Sequence, residues 1–166
     1  MEQKDDLCFM KAAIKRAKAA ARCGEVPIGA VLVKDGKIIA SGRNMREKTC
    51  NALHHAELIC IDRACKKLGA WRLENTTLYV TMEPCPMCAG AIINARIGRV
   101  VFGCYDGKAG VYGSVLNLRD YKFNHYYEVT GGVLEKECAM LLSDFFSDLR
   151  MKKAEEKQAR KKEEIP

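Results

Sequence analysis

Residues 84–88 read Pro-Cys-Pro-Met-Cys and place two cysteines three positions apart. The residues before them, 77–81, have the composition of a strand that Pro84 ends, and residues 85–95 have the composition of a helix rich in small side chains. Positions i and i+3 lie on one face of a helix, and the partial positive charge of a helix N-terminus favours ionised thiols there. The sequence therefore predicts a strand, a pair of thiols suited to a soft or borderline cation, and a helix, in that order.

The rest of the chain alternates helical and β patterns. Apolar residues three to four positions apart predict helices, and Val- and Ile-rich runs predict strands, of which the first two flank an Asp-Gly turn and pair antiparallel. The predicted helices are 5–22, 56–68, 85–95 and 134–149, and the predicted strands are 28–33, 37–40, 77–81, 99–102 and 126–129. The segment 77–102 predicts a parallel βαβ unit. Segments 42–53 and 103–124 are predicted to be loops, the second with one helical turn. The second loop is also the predicted substrate-facing segment, because binding residues are often found on loops.

The length of 166 residues predicts one domain. A chain of about 150 residues buries roughly 70% of the surface that its unfolded form exposes, so a metal site in it points towards catalysis rather than towards holding the fold together. We predict residues 1–149 as a single domain and residues 150–166 as a basic C-terminal extension, helical or frayed. The extension carries seven Lys and Arg residues against four Glu residues, a surplus of three within the net charge of +7. That surplus fits either a solvated helix end or a surface that contacts RNA phosphates.

Nine cysteines are many for a chain of this size, and an odd number cannot all pair within it. The first residues are acidic and polar, without the apolar core of a signal peptide, and no apolar run approaches the ~20 residues of a membrane span. We therefore expect a cytoplasmic protein with reduced thiols and no membrane partner. The cysteines outside residues 84–88 lack metal-ligand spacing, and we predict them to be small buried apolar residues: Cys8, Cys23, Cys50, Cys60, Cys65, Cys104 and Cys138.

Two thiols do not complete a zinc site. A four-thiolate site would need a second close pair, and the nearest, Cys60 and Cys65, lies within a predicted helix with a five-residue step that turns the side chains apart. The missing ligand is therefore expected among the three histidines. His55 stands at the start of the predicted helix 56–68, 30 residues before Cys85. One imidazole with two thiolates gives the three protein ligands of a catalytic zinc site, with a fourth position open to water.

Glu57 follows His55 by two residues, so its side chain need not point in the same direction as the ligand. Its carboxylate can therefore contact the water at the site instead of binding the metal. It would take a proton from that water and pass it to the substrate, first as base and then as acid. His54 adjoins the assigned ligand, but only His55 satisfies the spacing His-x-Glu, so we expect His54 to face solvent or RNA. A His-x-Glu stretch followed by Pro-Cys-x-x-Cys on the next predicted helix is typical of zinc nucleobase deaminases.

Beyond this motif, the chain resembles the bacterial tRNA-specific adenosine deaminases of the TadA family, within the cytidine deaminase-like superfamily. The resemblance covers nearly the whole chain and is weakest in the first few residues and the basic extension. It rests on Asn44 and on the stretches 25–31, 55–57, 78–85, 95–101, 113–114, 124–125 and 144–146. It implies an α/β protein with a three-layer α/β/α cytidine deaminase-like fold around a central five-stranded mixed sheet, and residues 1–149 become the deaminase domain.

The resemblance also implies an activity, which is the zinc-dependent hydrolysis of adenosine to inosine at the wobble position of a tRNA anticodon. The partners would be a tRNA anticodon stem loop and a second copy of the chain in a homodimer, with one Zn²⁺ per subunit. Carried over by position, the zinc ligands would be His55, Cys85 and Cys88, and the proton shuttle would be Glu57. The substrate-binding residues would be Asn44, Val26 and Pro27 around the base, Asp106 near the flanking ribose, and Phe145 and Phe146 at the anticodon loop. Hydrophobic core remains an equal alternative for one of the two Phe residues.

Three other functions remain open at this point. A free-nucleobase deaminase for guanine or cytosine would use the same zinc chemistry. A non-catalytic RNA-binding module would use the zinc only to stabilise its fold, and a redox pair would use the two thiols without metal. The chain also departs from the family. Its residues 52–57 read Ala-Leu-His-His-Ala-Glu where members commonly read Pro-Thr-Ala-His-Ala-Glu, and Tyr105 and Tyr112 flank the predicted substrate loop, where an aromatic ring can stack on a base.

Overall fold

The computed structural model describes residues 2–163, and the side chains of residues 4–160. The helices are α1 (Glu2–Ala21), α2 (Arg46–Thr49), α3 (Ala56–Leu68), α4 (Pro86–Asn94) and α5 (Glu135–Glu163). The strands are β1 (Gly29–Lys34), β2 (Lys37–Arg43), β3 (Thr76–Met82), β4 (Arg99–Cys104) and β5 (Glu128–Thr130). A single 3₁₀ turn, Leu118–Asp120, interrupts the long loop between β4 and β5. Each predicted helix and strand is present, and α2 is an addition inside the segment predicted to be a loop.

The five strands form one mixed sheet in the order β2-β1-β3-β4-β5. Strand β1 runs antiparallel to both β2 and β3, whereas β3, β4 and β5 are parallel. The predicted hairpin between β1 and β2 turns at Asp35 (φ 48°) and Gly36 (φ 70°), both in the left-handed region that a tight hairpin turn requires. The parallel β3-α4-β4 unit is also confirmed. It places the start of α4 at the carboxyl end of β3.

Helices cover both faces of the sheet, because residues along each strand alternate between the two sides. On one side Val31, Tyr79 and Val101 pack against α1 and the first turns of α5. On the other side the core includes Leu32, Val80 and Phe102 and packs against α3 and α4. The three-layer α/β/α fold with a central five-stranded mixed sheet is therefore confirmed.

Close contact between β2 and α3 fixes where α3 begins. Gly42 of β2 lies against the backbone of Ala56, the first residue of α3, and a Cβ atom at position 42 would collide with the Ala56 carbonyl oxygen. Only glycine lets the two backbones approach this closely. His55, immediately before α3, is thereby held at the edge of the sheet near the start of α4.

Helix α5 is continuous from Glu135 to Glu163, so the predicted C-terminal extension is helical over residues 150–163, and residues 164–166 lie outside the described part of the chain. Its first four turns pack on the sheet through Cys138 and Leu142, while residues 150–160 are all exposed. Within residues 2–163, no helix combines the length and apolar character that crossing a membrane demands.

The burial of the cysteines corrects part of the sequence prediction. Cys60, Cys104 and Cys138 are buried, and Cys65 is partly buried. The prediction of burial is wrong for Cys8, Cys23 and Cys50, which are exposed. These three lie on the outer face of α1, in the turn after α1, and after α2, where spacing along the chain carries no information about burial.

Candidate active site

The site forms where the starts of α3 and α4 meet at the end of β3. His55 is the N-cap residue of α3, and Cys85 is the N-cap residue of α4, with Pro86 at the first helical position, where its missing N–H costs nothing. Cys88 lies in the first turn of α4 and is buried. The structure thus brings together the imidazole of His55 and two thiols that lie 30 or more residues further along the chain.

The ligand atoms of these residues have the spacing of donors on one ion. His55 Nδ1 lies 3.8 Å from Cys85 Sγ and 3.5 Å from Cys88 Sγ, and all three donor atoms lie within 4.8 Å of one another. Tetrahedral bonds of ordinary Zn–S and Zn–N length place two ligands about 3.6 Å apart. Within the described side chains, no other group of three His, Cys, Asp or Glu residues is this compact. One imidazole and two thiols therefore fit a borderline divalent cation such as Zn²⁺.

Hydrogen bonds within the cluster divide its protons unevenly. The hydrogen bond from Cys88 lowers the pKa of Cys85 to about 4, with a further contribution from His55. The same bond raises the pKa of Cys88, and the bond to Cys85 raises the pKa of His55. Cys85 is therefore a thiolate at neutral pH, which is the form that binds metal ions.

Glu57 is buried beside this cluster and lacks a complete set of partners. It lies in the first turn of α3, is 4% exposed, and its Oε2 atom has no hydrogen-bond partner among the described side chains. Burial raises the pKa of its carboxyl group. A buried carboxylate oxygen is costly when unpaired, and such atoms in folded proteins mark a place for a ligand or ordered water.

Most of the substrate-binding residues predicted from the resemblance line one cavity of about 350 Å³: Val26, Asn44, Phe145 and Phe146. Pro27 is buried and is not among the lining residues. It sits in a tight turn in which the N–H of Ile28 donates to the carbonyl of Val26 at 2.8 Å, so it shapes the backbone next to the cavity.

A residue without a role in the sequence interpretation fixes Asn44. Glu25 is 2% exposed, and its Oε2 accepts a hydrogen bond from Asn44 Nδ2 at 3.3 Å. Its Oε1 accepts from the backbone N–H of Lys48 in α2 at 2.8 Å. Because a carboxylate only accepts, the Asn44 amide must direct its NH₂ group at Glu25.

The two phenylalanines of α5 differ in exposure. Phe145 is partly buried, whereas Phe146 is 41% exposed, and the rings meet edge to face with centroids 5.5 Å apart. Both line the cavity that Asn44 and Val26 share, and Lys153 lies at its rim. The two hydrophobic core clusters include neither ring, and Phe145 is the more buried of the two.

Asp106 lies apart from this cavity, two residues after β4, and is partly buried. Its backbone N–H donates to Glu83 Oε2 at 3.0 Å, and its own Oδ1 accepts from the N–H of Lys108 at 2.9 Å. Glu83 also had no role in the sequence interpretation, although it stands between β3 and the metal-ligand pair. A carboxyl group at the carboxyl end of a central strand was the available signal for it.

Three further residues noted in the sequence take distinct places. His54 Nδ1 shares a hydrogen bond with the Thr49 hydroxyl at 2.7 Å, outside the His–Cys–Cys cluster. Tyr105 is half exposed, and its ring stands perpendicular to that of Phe102. Tyr112 is buried, and its hydroxyl accepts from Tyr127 at 3.1 Å, so its ring offers no open face for stacking.

Comparison with known proteins identifies close relatives. A family model described as MafB19-like deaminase matches residues 4–150. The tRNA-specific adenosine deaminase of Bacillus subtilis (strain 168) is 56% identical over 157 residues, which cover 94% of this chain and 96% of that protein.

Solved structures agree with this relationship. A structure from studies of A-to-I editing by tRNA:A34 deaminases at the wobble position of transfer RNA matches with a TM-score of 0.75 and 42% identity, covering 81% of this chain and 98% of that one. The guanine deaminase of Bacillus subtilis matches with a TM-score of 0.59 and 36% identity, covering 74% of this chain and 84% of that one. The chain therefore belongs to the tRNA-specific adenosine deaminases, within the MafB19-like deaminase family.

Proposed function

We propose that this protein hydrolyses the adenosine at the wobble position of a tRNA anticodon to inosine and ammonia. The observation that carries the proposal is the buried Glu57 carboxylate, whose Oε2 lacks a partner among the described side chains and lies beside the cluster of His55, Cys85 and Cys88. Relatives that are named tRNA-specific adenosine deaminases support adenosine in tRNA as the substrate.

We assign one Zn²⁺ per subunit to His55, Cys85 and Cys88. The imidazole nitrogen and the two sulfurs suit this ion in kind and in spacing. When bound, zinc supplies Lewis-acid activation of water near neutral pH.

Glu57 would move the protons of the reaction. Its Oε2, unpaired within the described chain, can accept a proton from the attacking water and return it, so that the C6 amino group leaves as ammonia and oxygen takes its place. The helix start holds the carboxylate in place, since its backbone lies in the first turn of α3 next to His55. A fixed carboxylate needs no rearrangement between the two transfers.

The base that reacts at Glu57 would be recognised by Asn44 and Val26, which also line the cavity between the turn before β1 and helix α5. Asn44 would supply an amide and Val26 apolar contact to the base, and Phe146 would contact the anticodon loop. Pro27 would shape the turn that carries Val26, and Asp106 would lie near the flanking ribose. Phe145 would support the exposed ring of Phe146, with which it packs edge to face.

The RNA backbone would meet the basic part of α5. Its exposed cations run along the helix from residue 150 to residue 160, and Lys153 lies next to the cavity: Arg150, Lys152, Lys153, Lys157 and Arg160. Cations on one helix that extends away from a base pocket can contact successive phosphates. We also propose that the protein acts in the cytoplasm as a homodimer, which the family resemblance implies and which light scattering at micromolar concentration would test.

The test of the proposed function combines metal analysis with an inosine assay. Purified protein should contain about one zinc per chain and convert an anticodon stem loop with a wobble adenosine to inosine. The same stem loop with adenosine moved to another loop position is the matched substrate control. Protein that carries zinc but makes no inosine from the wobble adenosine would contradict the substrate assignment.

A guanine deaminase is the second candidate, because the Bacillus subtilis guanine deaminase shares the fold at 36% identity. A free base has no phosphates for the exposed cations of α5 to bind. Xanthine formation from guanine, without inosine formation from the stem loop, would favour this second function.

A further inference from the structure

One buried carboxylate, Glu83, organises the loop of residues 106–114. Glu83 directly follows β3 and is 3% exposed. Its Oε1 accepts from the backbone N–H of Tyr112 at 2.7 Å and of Ser114 at 3.2 Å. Its Oε2 accepts from the backbone N–H of Asp106 at 3.0 Å and from the Ser114 hydroxyl. Both ends of the loop are thus held by the same side chain.

Gly110 is the second feature adapted to this carboxylate. A Cβ atom at position 110 would collide with the carboxyl group of Glu83, although the glycine's backbone conformation does not itself require glycine. The absent side chain lets the middle of the loop lie directly against the carboxylate. The start, the middle and the end of the loop therefore all contact the Glu83 carboxylate.

Only a carboxylate suits this position. Four donors point at two oxygen atoms, and an ionised carboxylate has acceptor sites for all four without a donor of its own. Hydrogen bonds to a charged acceptor are about twice as strong as neutral ones, and they offset the cost of burying the charge.

The loop is also tied to the backbone beside the metal ligands. Val111 N–H donates to the carbonyl of Pro84 at 3.2 Å, immediately before Cys85. Glu83 N–H donates to the carbonyl of Cys104 at the end of β4 at 2.8 Å. The shape of the loop is therefore fixed relative to the turn that carries Cys85.

We infer that Glu83 is a positioning residue that holds the loop 106–114, and with it Asp106, in the shape that receives the nucleotide next to the reacting base. Glu83 acts through Asp106 and the loop backbone and does not touch the reacting atoms. This inference rests on the proposed function, because it concerns how the same site binds its RNA.

The main test variant is Glu83→Gln, which keeps the shape of the side chain but replaces one acceptor oxygen with an NH₂ donor. At least one backbone N–H then faces another donor. Hydrogen exchange measured by mass spectrometry should be faster in peptides that cover residues 105–116 and unchanged in α1 and β1. With the anticodon stem loop as substrate, KM should rise about tenfold or more, while kcat changes less than about threefold.

Two further variants keep the inference testable if Glu83→Gln folds poorly. Gly110→Ala leaves Glu83 intact and displaces the loop from the carboxylate, so it should reproduce both the faster exchange and the higher KM. Ser114→Ala removes one hydroxyl donor and keeps the three backbone bonds, so it should show the same effects to a smaller degree. Zinc content should stay at about one per chain in all three variants.

The outcomes separate this inference from the proposed function. Faster exchange in the loop together with a higher KM supports the inference. Unchanged exchange, or faster exchange with unchanged KM in a folded variant, contradicts it and would leave Glu83 with a structural role only. A wild-type protein that makes no inosine contradicts the proposed function, and with it the RNA-binding role of the loop.

Discussion

Asn44 donates through Nδ2 to Oε2 of Glu25 at 3.3 Å, and both side chains are buried, at 4% and 2% exposure. Nineteen residues separate them in the sequence. The carboxylate also accepts from the backbone of α2, so one group fixes both the amide assigned to base recognition and the helix that follows it. The pocket that we propose for the base is therefore shaped by a residue that need not touch the base.

Glu25→Ala should weaken this arrangement. It leaves the buried Asn44 amide and the partly buried Lys48 N–H without their acceptor, and an unpaired buried group costs about 1–3 kcal/mol. We expect a loss of about 2–4 kcal/mol in the free energy of unfolding and a higher KM for the stem loop, measured by urea denaturation and initial rates. Glu25→Gln is the matched control, since it retains one acceptor oxygen and should lose less. Equal stability of the alanine variant and the wild type would contradict the proposed role.

Glu57→Gln should abolish turnover while keeping the metal. The amide cannot accept and return a proton, and removal of a general acid–base group lowers rates by about 10²–10⁴-fold. Zinc content and thermal unfolding should match the wild type, because Glu57 is not assigned as a ligand. Glu74→Gln, at an exposed position before β3, serves as the control and should retain full activity. Inosine formation by the Glu57 variant at the wild-type rate would refute the catalytic assignment.

The adjacent histidines provide a second matched pair. His55→Ala removes the proposed ligand nitrogen Nδ1, which lies 3.5 Å from Cys88 Sγ, and we expect this variant to lose zinc and all activity. His54→Ala removes a ring that bonds to Thr49 instead, and we expect it to keep its zinc and measurable turnover. Metal analysis by mass spectrometry after dialysis distinguishes them. Zinc absent from the His54 variant and kept by the His55 variant would reverse the assignment.

Much of the fold could be predicted from local patterns. The Asp-Gly turn predicted the β1-β2 hairpin, and the alternation of strand, helix and strand predicted the parallel β3-α4-β4 unit. The spacing of His55, Cys85 and Cys88 predicted a compact group of metal-binding side chains, because only specific ligand chemistry explains that combination.

The features that local patterns missed depend on distant contacts. Helix α2 has four residues and no apolar periodicity, and its Lys48 N–H is bonded to Glu25, 23 residues earlier. Strand β2 continues beyond its apolar residues as far as Arg43, because residues 41–43 still pair with β1. Glu83 accepts its hydrogen bonds from residues 23 to 31 positions away, so no short stretch of sequence contains them.

Asp6 should make stability depend on pH. Burial would raise the pKa of its carboxyl group, but hydrogen bonds from Arg99 (2.8 Å to each oxygen) and from Tyr79 (2.8 Å) outweigh burial and lower the pKa. Because the folded-state pKa lies below the unfolded value of about 3.9, the stabilisation is present above that pH and is lost as pH falls through the folded-state pKa. Asp6→Asn should cost about 3 kcal/mol at about pH 6, since it removes the carboxylate that pairs with the partly buried Arg99 guanidinium.

The difference in unfolding free energy between the wild type and Asp6→Asn should therefore narrow as the pH falls from about 6 to about 3. Urea denaturation of both proteins at several pH values measures it. Any loss at low pH of the zinc that we propose would affect both proteins alike, so the difference isolates Asp6. A difference that stays constant over this range would show that the carboxylate's charge does not contribute.

Neutralising the exposed cations of α5 tests the proposed RNA surface. Lys152, Lys153 and Lys157 are exposed and lie beyond the turns of α5 that pack on the sheet, so their replacement by Gln should leave the unfolding temperature unchanged. If they bind phosphates, KM for tRNA rises, and the slope of log KM against log salt concentration falls by about one for each phosphate that the variant no longer neutralises. The same triple change at Lys11, Lys15 and Lys37, also exposed, should leave both quantities at their wild-type values. An equal effect of the two triple variants would mean that net charge alone attracts the RNA, because a specific binding surface responds only to cations that lie on it.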